Sequence, residues 1–114
     1  MVEMFGIANC DTIRKARRWL AEHDIACLFH DYKKEGVDAR QLARWVERVG
    51  WEVLLNKRGT TWRKLSDADK MDLDRGKAIA LMCAHPSMIK RPVLVSDDQI
   101  VVGFAEPQYS GLFI

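Results

Sequence analysis

The spacing of apolar residues predicts an α/β protein. Short apolar runs bounded by polar turns are typical of strands, and they occur at 2–7, 25–32, 93–95 and 100–104. Apolar residues repeated every three or four positions are typical of amphipathic helices, and they occur at 12–23, 39–49 and 72–84. Shorter helical signals stand at 62–65 and 66–69, and the segment 106–112 fits a short helix or an irregular tail. The predicted order is strand, helix, strand, a block of helices, strand, strand and a final segment.

The connections between the strands predict a mixed sheet. A helix joins the first two strands, and such βαβ units are parallel and right-handed in almost every case. The polar segment Ser96-Asp97-Asp98-Gln99 separates the last two strands and predicts a hairpin. We therefore expect one α/β domain over 1–114, with a βαβ half, a ββ half and a helical insertion at 38–84 between them.

The local pattern also predicts helix ends and buried faces. Asp38 is the predicted N-cap of the helix at 39–49, and Gln41 occupies the matching capping-box position. The second strand is expected to bury Cys27 and to end at an exposed edge with His30 and Tyr32. The predicted buried residues of the helix at 72–84 are Ile79, Ala80, Met82 and Cys83.

Composition and charge narrow the classes of partner. The chain is 48% hydrophobic and 30% charged, as is typical of soluble globular proteins. Its longest apolar run, 78–84, is far shorter than the ~20 residues that span a bilayer. The net charge is only +2, and the arginines are interspersed with acidic residues rather than gathered into a stripe. With Glu3 near the start and no basic leader, we expect a cytoplasmic protein without membrane or nucleic-acid partners.

The three cysteines have the spacing of free thiols. Cys10, Cys27 and Cys83 are odd in number and far apart in the chain. This arrangement argues against a disulfide framework and against a zinc site built from paired C-x-x-C motifs. We expect reduced thiols and neither a metal nor a bound prosthetic group.

Cys10 stands where a thiol can become reactive. It follows the first strand and precedes the first helix, so its sulfur is expected near unpaired helix N–H groups that stabilise an anion. Arg14 and Lys15 add positive charge in the next turn, and nearby cations lower the pKa of a thiol. These residues alone leave two alternatives open, a reactive thiol or a small structural cysteine in a strand-to-helix turn.

The chain resembles the arsenate reductase (ArsC)/Spx family over nearly its whole length. The matching features are Phe5-Gly6-Ile7-Ala8-Asn9-Cys10-Asp11-Thr12 with Arg14-Lys15-Ala16 behind it, the helical insertion, His85-Pro86 with Ile89-Lys90-Arg91-Pro92, and Val101-Val102-Gly103-Phe104. The details are most similar to the YffB-type branch, which is proposed to contain glutathione-dependent thiol reductases. The resemblance implies a thioredoxin-like fold, βαβ…ββα with a mixed sheet.

The resemblance also implies a set of site residues. Cys10 would be the nucleophile, Arg91 the anion-binding residue beside it, and Pro92 a cis-proline that opens the third strand. The expected substrate-binding residues are Asn9, Asp11, Thr12, Arg14, Lys15 and Pro92. Arg14, Lys15 and Arg91 would hold the thiolate charge and ligand carboxylates, and the backbone at Arg91 and Pro92 would pair with a peptide as an added strand.

The function implied by the resemblance is that of a monothiol oxidoreductase. Cys10 would form a mixed disulfide with a small-molecule or protein disulfide. Position 13, where a C-x-x-C motif needs its second cysteine, is Ile13, so an external thiol, glutathione by expectation, would complete the cycle.

Two other functions remain as alternatives. One is an Spx-like regulator that contacts the transcription machinery without catalysis, with Cys10 at most a sensor. The other is arsenate reduction, which we disfavour because reductases of this family hold the oxyanion with three arginines and only Arg91 matches. Asn56 stands where the arginine of the insertion should fall, and no arginine lies around Gly103.

Overall fold

The computed structural model describes residues 1–114 as two compact units. The first, here called the sheet unit, comprises Met1–Glu35 and Arg91–Ile114. The second, the insertion unit, comprises Gly36–Lys90 and contains the predicted insertion at 38–84. That 1–114 folds as a single domain stays a prediction.

Four strands and eight α-helices make up the chain. The strands are β1 (Val2–Gly6), β2 (Cys27–Asp31), β3 (Val93–Ser96) and β4 (Gln99–Val102). The helices are α1 (Asp11–Glu22), α2 (Tyr32–Glu35), α3 (Ala39–Val49), α4 (Trp51–Leu54), α5 (Thr60–Arg63), α6 (Asp67–Lys70), α7 (Arg75–Ala84) and α8 (Glu106–Phe113), with a 3₁₀ turn at Pro86–Met88. None of these helices combines the length and the apolar character that crossing a bilayer requires.

The sheet has the order β2-β1-β3-β4 and confirms the predicted mixed topology. β1 pairs with β2 in parallel, with Val2 opposite Cys27 and Gly6 opposite Asp31. β1 pairs with β3 antiparallel, and β3 forms the predicted hairpin with β4. The carboxyl ends of β1 and β2 therefore lie at the same edge of the sheet. Cys10 comes shortly after the end of β1 at this edge.

The core of the sheet unit forms where α1 packs on the sheet. The predicted stripe of α1 is confirmed, because Ile13, Ala16 and Leu20 are buried together with Met4 and Leu94. The core is completed by aromatic rings of α1 and α8, in which Trp19 meets Tyr109 edge-on at 5.6 Å between ring centroids. Burial of the apolar face of α1 thus holds the start of that helix against the end of β1.

In the insertion unit, α3 packs against α4 and α7. The bounds predicted for α3 are confirmed, and the Asp38 carboxylate accepts a hydrogen bond from the Arg40 N–H at 2.8 Å. The predicted start of the following helix at 72 is wrong. α7 begins at Arg75, because the Asp74 side chain accepts the Lys77 N–H at 2.8 Å and forms the N-cap.

The buried face predicted for α7 is also wrong in part. The buried residues are Ala78 and Met82, whose spacing of four places them on one helical face. Ile79 and Cys83 each follow a buried residue by one position and are only partly buried. Ala80 is two positions from both buried residues, so it lies on the opposite side of the helix and is exposed. The α7 sequence is apolar on most of its surface, so periodicity alone did not identify the packed face.

The second strand ends differently from the prediction. Tyr32 is not at an exposed edge; it opens α2 and is only 4% exposed. His30 is only partly exposed, and its ring stacks on Phe5 with 4.5 Å between ring centroids. Its two nitrogens lie 2.9 Å from carboxylate oxygens of Glu3 and Glu35. This His30 clip links β1, β2 and α2.

The His30 clip requires a charged imidazole. A neutral imidazole has one N–H, so two full hydrogen bonds to carboxylates need the imidazolium. Burial lowers the pKa of His30, but Glu35 and Glu3 together raise it above its ordinary value. Hydrogen bonding to His30 lowers the pKa of Glu35. The stabilisation from His30 is therefore complete below its ordinary pKa of about 6.5 and is lost as the pH rises through the raised value.

We predict a pH-dependent loss of stability in His30→Gln. The difference in unfolding free energy from the wild-type protein should be larger at about pH 5.5 than at about pH 8.5, because the imidazolium is lost at the higher pH. Urea unfolding at both pH values measures it. Glu47→Gln, which removes an exposed carboxylate of α3, should show no such change; equal losses at the two pH values would contradict the charged clip.

We also predict that Gly6 tolerates no side chain. A Cβ there would lie 2.5 Å from Cδ1 of the buried Ile13 and 3.4 Å from Cβ of Arg91. Gly6→Ala should cost about 1–3 kcal/mol of unfolding free energy, because the fully buried Ile13 side chain must shift within a packed core. Gly111→Ala in α8, where a Cβ meets nothing within 4 Å, should instead stabilise by up to about 1 kcal/mol. A Gly6→Ala protein as stable as the wild type in urea would refute the close approach.

Candidate active site around Cys10

The chain turns from β1 into α1 at Cys10. Cys10 is the N-cap residue of α1, with the extended backbone angles φ −146° and ψ 128°. Its N–H donates to the Ala8 carbonyl at 3.1 Å, and its own carbonyl accepts the Arg14 N–H at 3.0 Å as the first bond of the helix. The side chain therefore lies at the positive end of a twelve-residue helix.

Arg91 reaches the same edge of the sheet from a distant part of the chain. It precedes Pro92 through a cis peptide bond, as the family resemblance implies. The antiparallel register places Val93 opposite Phe5, so Arg91 falls beside the residues that leave β1. Gly6 contributes no side chain at this point, and the Pro92 carbonyl is held by the Gly103 N–H at 2.8 Å.

The surroundings of Cys10 favour its thiolate. Partial burial raises the pKa of the thiol. The N–H groups of Ile13 and Thr12 and a hydrogen bond from the Arg91 guanidinium lower it by a larger amount in total, so the pKa of Cys10 lies below the ordinary value. No capping bond from the sulfur meets full hydrogen-bond geometry, and the helix N–H groups therefore act mainly as aligned dipoles. Only Arg91 supplies both a donor and a full positive charge among these groups.

Of the other residues expected at the site, Asn9, Asp11, Arg14 and Lys15 are exposed, whereas Thr12 and Pro92 are partly or fully buried. Asn9 and Asp11 are exposed, and both accept hydrogen bonds from the Arg14 guanidinium, which draws its charge across the start of α1. Lys15 is exposed on the same helix. Thr12 contributes through its backbone N–H. Pro92, which lies between Arg91 and β3 in the chain, is fully buried. Their roles toward a substrate stay predictions.

The remaining cysteines differ from Cys10 in environment. Cys27 is only partly buried rather than a full core residue, and burial raises its pKa. It pairs with Val2, whereas Gly6 lies at the Cys10 end of β1, so roughly 13 Å of strand separates the two ends. Burial also raises the pKa of Cys83, and the Asp38 charge adds to the effect. Cys10 is the thiol whose pKa is lowered.

The environment of Tyr32 is a feature near Arg91 that sequence reasoning missed. Its hydroxyl is buried without a hydrogen-bond partner, and burial raises its pKa while the positive charge of Arg91 opposes that rise. The sequence gives no signal that a tyrosine directly after a strand will be buried, because its burial depends on how the following helix, α2, packs. The structure contains no group of three His, Cys, Asp or Glu side chains placed to hold a metal ion.

Comparison with known proteins gives consistent relatives. A protein of unspecified function from Haemophilus influenzae is 42% identical over 113 residues, covering 99% of both chains. The global transcriptional regulator Spx from Streptococcus mutans is 28% identical, covering 95% of this chain and 80% of that protein. Its name is at odds with our expectation of no nucleic-acid partner.

Solved structures and a family profile agree with the fold. The structure of a protein named YffB superposes with a TM-score of 0.95 at 51% identity and covers 97% of each chain. An arsenate reductase (ArsC) related protein from Brucella melitensis is 52% identical with a TM-score of 0.78, covering 98% of this chain and 93% of that one. The fold is thioredoxin-like, as predicted. The profile of the ArsC family matches residues 5–112, and this chain therefore belongs to the ArsC family.

Proposed function

We propose that this protein is a monothiol oxidoreductase whose nucleophile is Cys10 and whose resolving thiol is glutathione. The observation that carries the proposal is the lowered pKa of Cys10, caused by helix N–H groups and Arg91. A thiolate at neutral pH is the reactive form of cysteine. Membership of the ArsC family and 52% identity to an arsenate reductase (ArsC) related protein support an oxidoreductase.

The proposed cycle has two exchanges. The Cys10 thiolate attacks one sulfur of a disulfide substrate; a new S–S bond forms, the old one breaks, and the departing thiolate takes its electron pair and a proton from water. The thiolate of glutathione then attacks the mixed disulfide and releases Cys10 as a thiolate. After these two exchanges at Cys10, a second glutathione thiolate attacks the glutathionylated product, breaks its S–S bond to release the product thiol, and forms glutathione disulfide. The substrate disulfide is reduced by two electrons, and two glutathione molecules are oxidised to one glutathione disulfide.

An external thiol is favoured by the positions of the other residues. Ile13 occupies the place of a C-x-x-C partner and is fully buried, and Cys27 lies at the opposite end of β1 from Cys10. Glutathione carries two carboxylates, for which Arg14 and Lys15 are exposed cations on α1. Such a cycle requires a reducing compartment, and we place it in the cytoplasm.

An Spx-like regulatory role is the second candidate. It is favoured by the exposed cations Arg14, Lys15, Arg17 and Arg18 on α1 and by the named regulators among the relatives. In this role Cys10 is a sensor and no turnover occurs. Arsenate reduction is not proposed, because Arg91 is the one arginine that contributes to the lowered pKa of Cys10, whereas Arg14 is bonded to Asn9 and Asp11.

Arg91→Gln should raise the pKa of Cys10 toward the free value of about 8.5, because the thiolate loses a donor and a positive charge. The rate of Cys10 alkylation against pH, followed on its own peptide by mass spectrometry, measures this. Arg18→Gln, an exposed cation farther along α1, serves as control. An identical pH profile in Arg91→Gln and the wild type would contradict an activated thiol.

The reduced protein should form a single adduct with glutathione disulfide on Cys10, and excess glutathione should remove it. Intact mass and peptide mapping detect both steps. Cys10→Ser should form no adduct at this position, whereas Cys27→Ser should behave as the wild type. Catalytic reduction of a mixed-disulfide substrate by glutathione separates an oxidoreductase from a sensor; adduct formation without turnover would favour the regulatory role.

A further inference from the structure

The Cys10 turn, residues 7–10, leads from β1 into α1 and depends on hydrogen bonds for its position. Ile7 is buried, but Ala8 and Asn9 are both exposed. No side chain between Ile7 and Cys10 is therefore packed in the core. A segment with few buried contacts opens easily unless its backbone is held by hydrogen bonds. The bonds made by the backbone of this turn thus decide where Cys10 lies.

The backbone of Ala8 is hydrogen-bonded on both sides. Its carbonyl accepts the Cys10 N–H at 3.1 Å. Its N–H donates to Oδ2 of Asp31 at 3.4 Å, across 23 positions of sequence. This second bond is longer than the usual N–H···O distance of about 2.9 Å, so we expect its loss to affect the turn more than the overall stability. Ala8 thus connects the backbone of Cys10 to a carboxylate at the end of β2.

Asp31 has a fixed position from which to hold the turn. The parallel register places it opposite Gly6, the last residue of β1. Its Oδ1 accepts an N–H of the first turn of α2 at 2.8 Å, and its own N–H donates to Oε2 of Glu35 at 3.2 Å. Glu35 is in turn part of the His30 clip. One carboxylate oxygen of Asp31 therefore stabilises the start of α2, and the other is available to the Cys10 turn.

A separate interaction links the turn to α1. The Arg14 guanidinium donates to the side chains of Asn9 and Asp11, the neighbours of Cys10 in the chain. Arg14 thus joins the turn to the helix, whereas Asp31 joins it to the sheet. The sulfur can remain beside the first N–H groups of α1 only if the turn keeps its place relative to both.

We propose that Asp31 is a positioning residue for Cys10, whose carboxylate holds the Ala8 N–H and thereby fixes the turn that presents the sulfur to the start of α1. The main contributions to the pKa of Cys10 come from burial, the N–H groups of α1 and Arg91 rather than from Asp31, so its effect is geometric. A direct action of its negative charge would have the opposite sign, because removing that charge would favour the thiolate. The inference rests on the proposed function in taking Cys10 as the nucleophile.

Asp31→Asn and Asp38→Asn form a matched pair. Each substitution keeps the size of the side chain, removes one negative charge and replaces one oxygen by an NH₂ group. Both carboxylates accept the backbone N–H two residues further on at 2.8 Å, from Lys33 and from Arg40. Of the two, Asp31 also accepts the Ala8 N–H. Asparagine at position 31 cannot make both bonds in the same way, because an amide nitrogen does not accept.

The first measurement is the rate of Cys10 alkylation by iodoacetamide against pH, followed on its own peptide by mass spectrometry. Asp31→Asn should raise the pKa of Cys10 and slow the reaction at about pH 6 by about threefold, the change in thiolate fraction for a rise of about half a unit. Asp38→Asn should match the wild type. A wild-type pKa that is lowered, and that Asp31→Asn leaves unchanged or lowers further, would overturn this inference alone. An ordinary wild-type pKa would overturn it together with the activated thiol of the proposed function.

The second measurement is the exchange of the Ala8 amide proton with water, read by NMR. Exchange should be faster in Asp31→Asn than in the wild type and unchanged in Asp38→Asn, because the hydrogen bond to Asp31 protects this amide. Asp31→Ser provides the same test if Asp31→Asn does not fold, since one hydroxyl can cap α2 but cannot also hold Ala8.

An Ala8 exchange rate that these substitutions leave unchanged would overturn the inference. Faster Ala8 exchange and slower alkylation, in a protein whose wild type forms no glutathione adduct, would support the role of Asp31 and refute glutathione as the partner.

Discussion

The close approach of α1 to the end of β1 is the constraint on which the site depends. Gly6 leaves room for Ile13, and the burial of Ile13 in the core presses the first turn of α1 against the sheet. Cys10 then caps that turn with its sulfur at the positive end of the helix. Arg91, which precedes β3, lies beside Gly6, with its Cβ 3.4 Å from the place where a Gly6 Cβ would be. The N–H groups at the start of α1 and the Arg91 guanidinium thus act on a single sulfur.

The electrostatic surroundings of Cys10 differ from those of the other two cysteines. Burial raises the pKa of each cysteine, and only for Cys10 do donors and charge outweigh that effect. The parallel register keeps Cys27 at the other end of β1. A thiol with a lowered pKa and no cysteine in its own helix turn, as proposed for the nucleophile here, suits exchange with a thiol from solution, or sensing, more than an internal disulfide.

Prediction from sequence succeeded where the signal was local. The stripe of α1, the bounds of α3 and the Asp38 cap follow from residues within a few positions of one another, and all were confirmed. It failed for α7, where apolar residues on most faces conceal the packed one. It also failed at the end of β2, where Tyr32 and His30 acquire their environments from α2 and β1.

The sequence alone determines that Cys10 stands at a helix start and that position 13 holds no cysteine. Both are local properties, since helix capping and motif spacing depend on residues close together in the chain. The resemblance of the motifs likewise identified the family. The partnership of Arg91 with Cys10 was expected from the family resemblance alone, and no local pattern predicted it; the burial of Tyr32 and the His30 clip required the folded chain. Each joins residues distant in sequence, and such contacts exist only once strand register and core packing bring their backbones together.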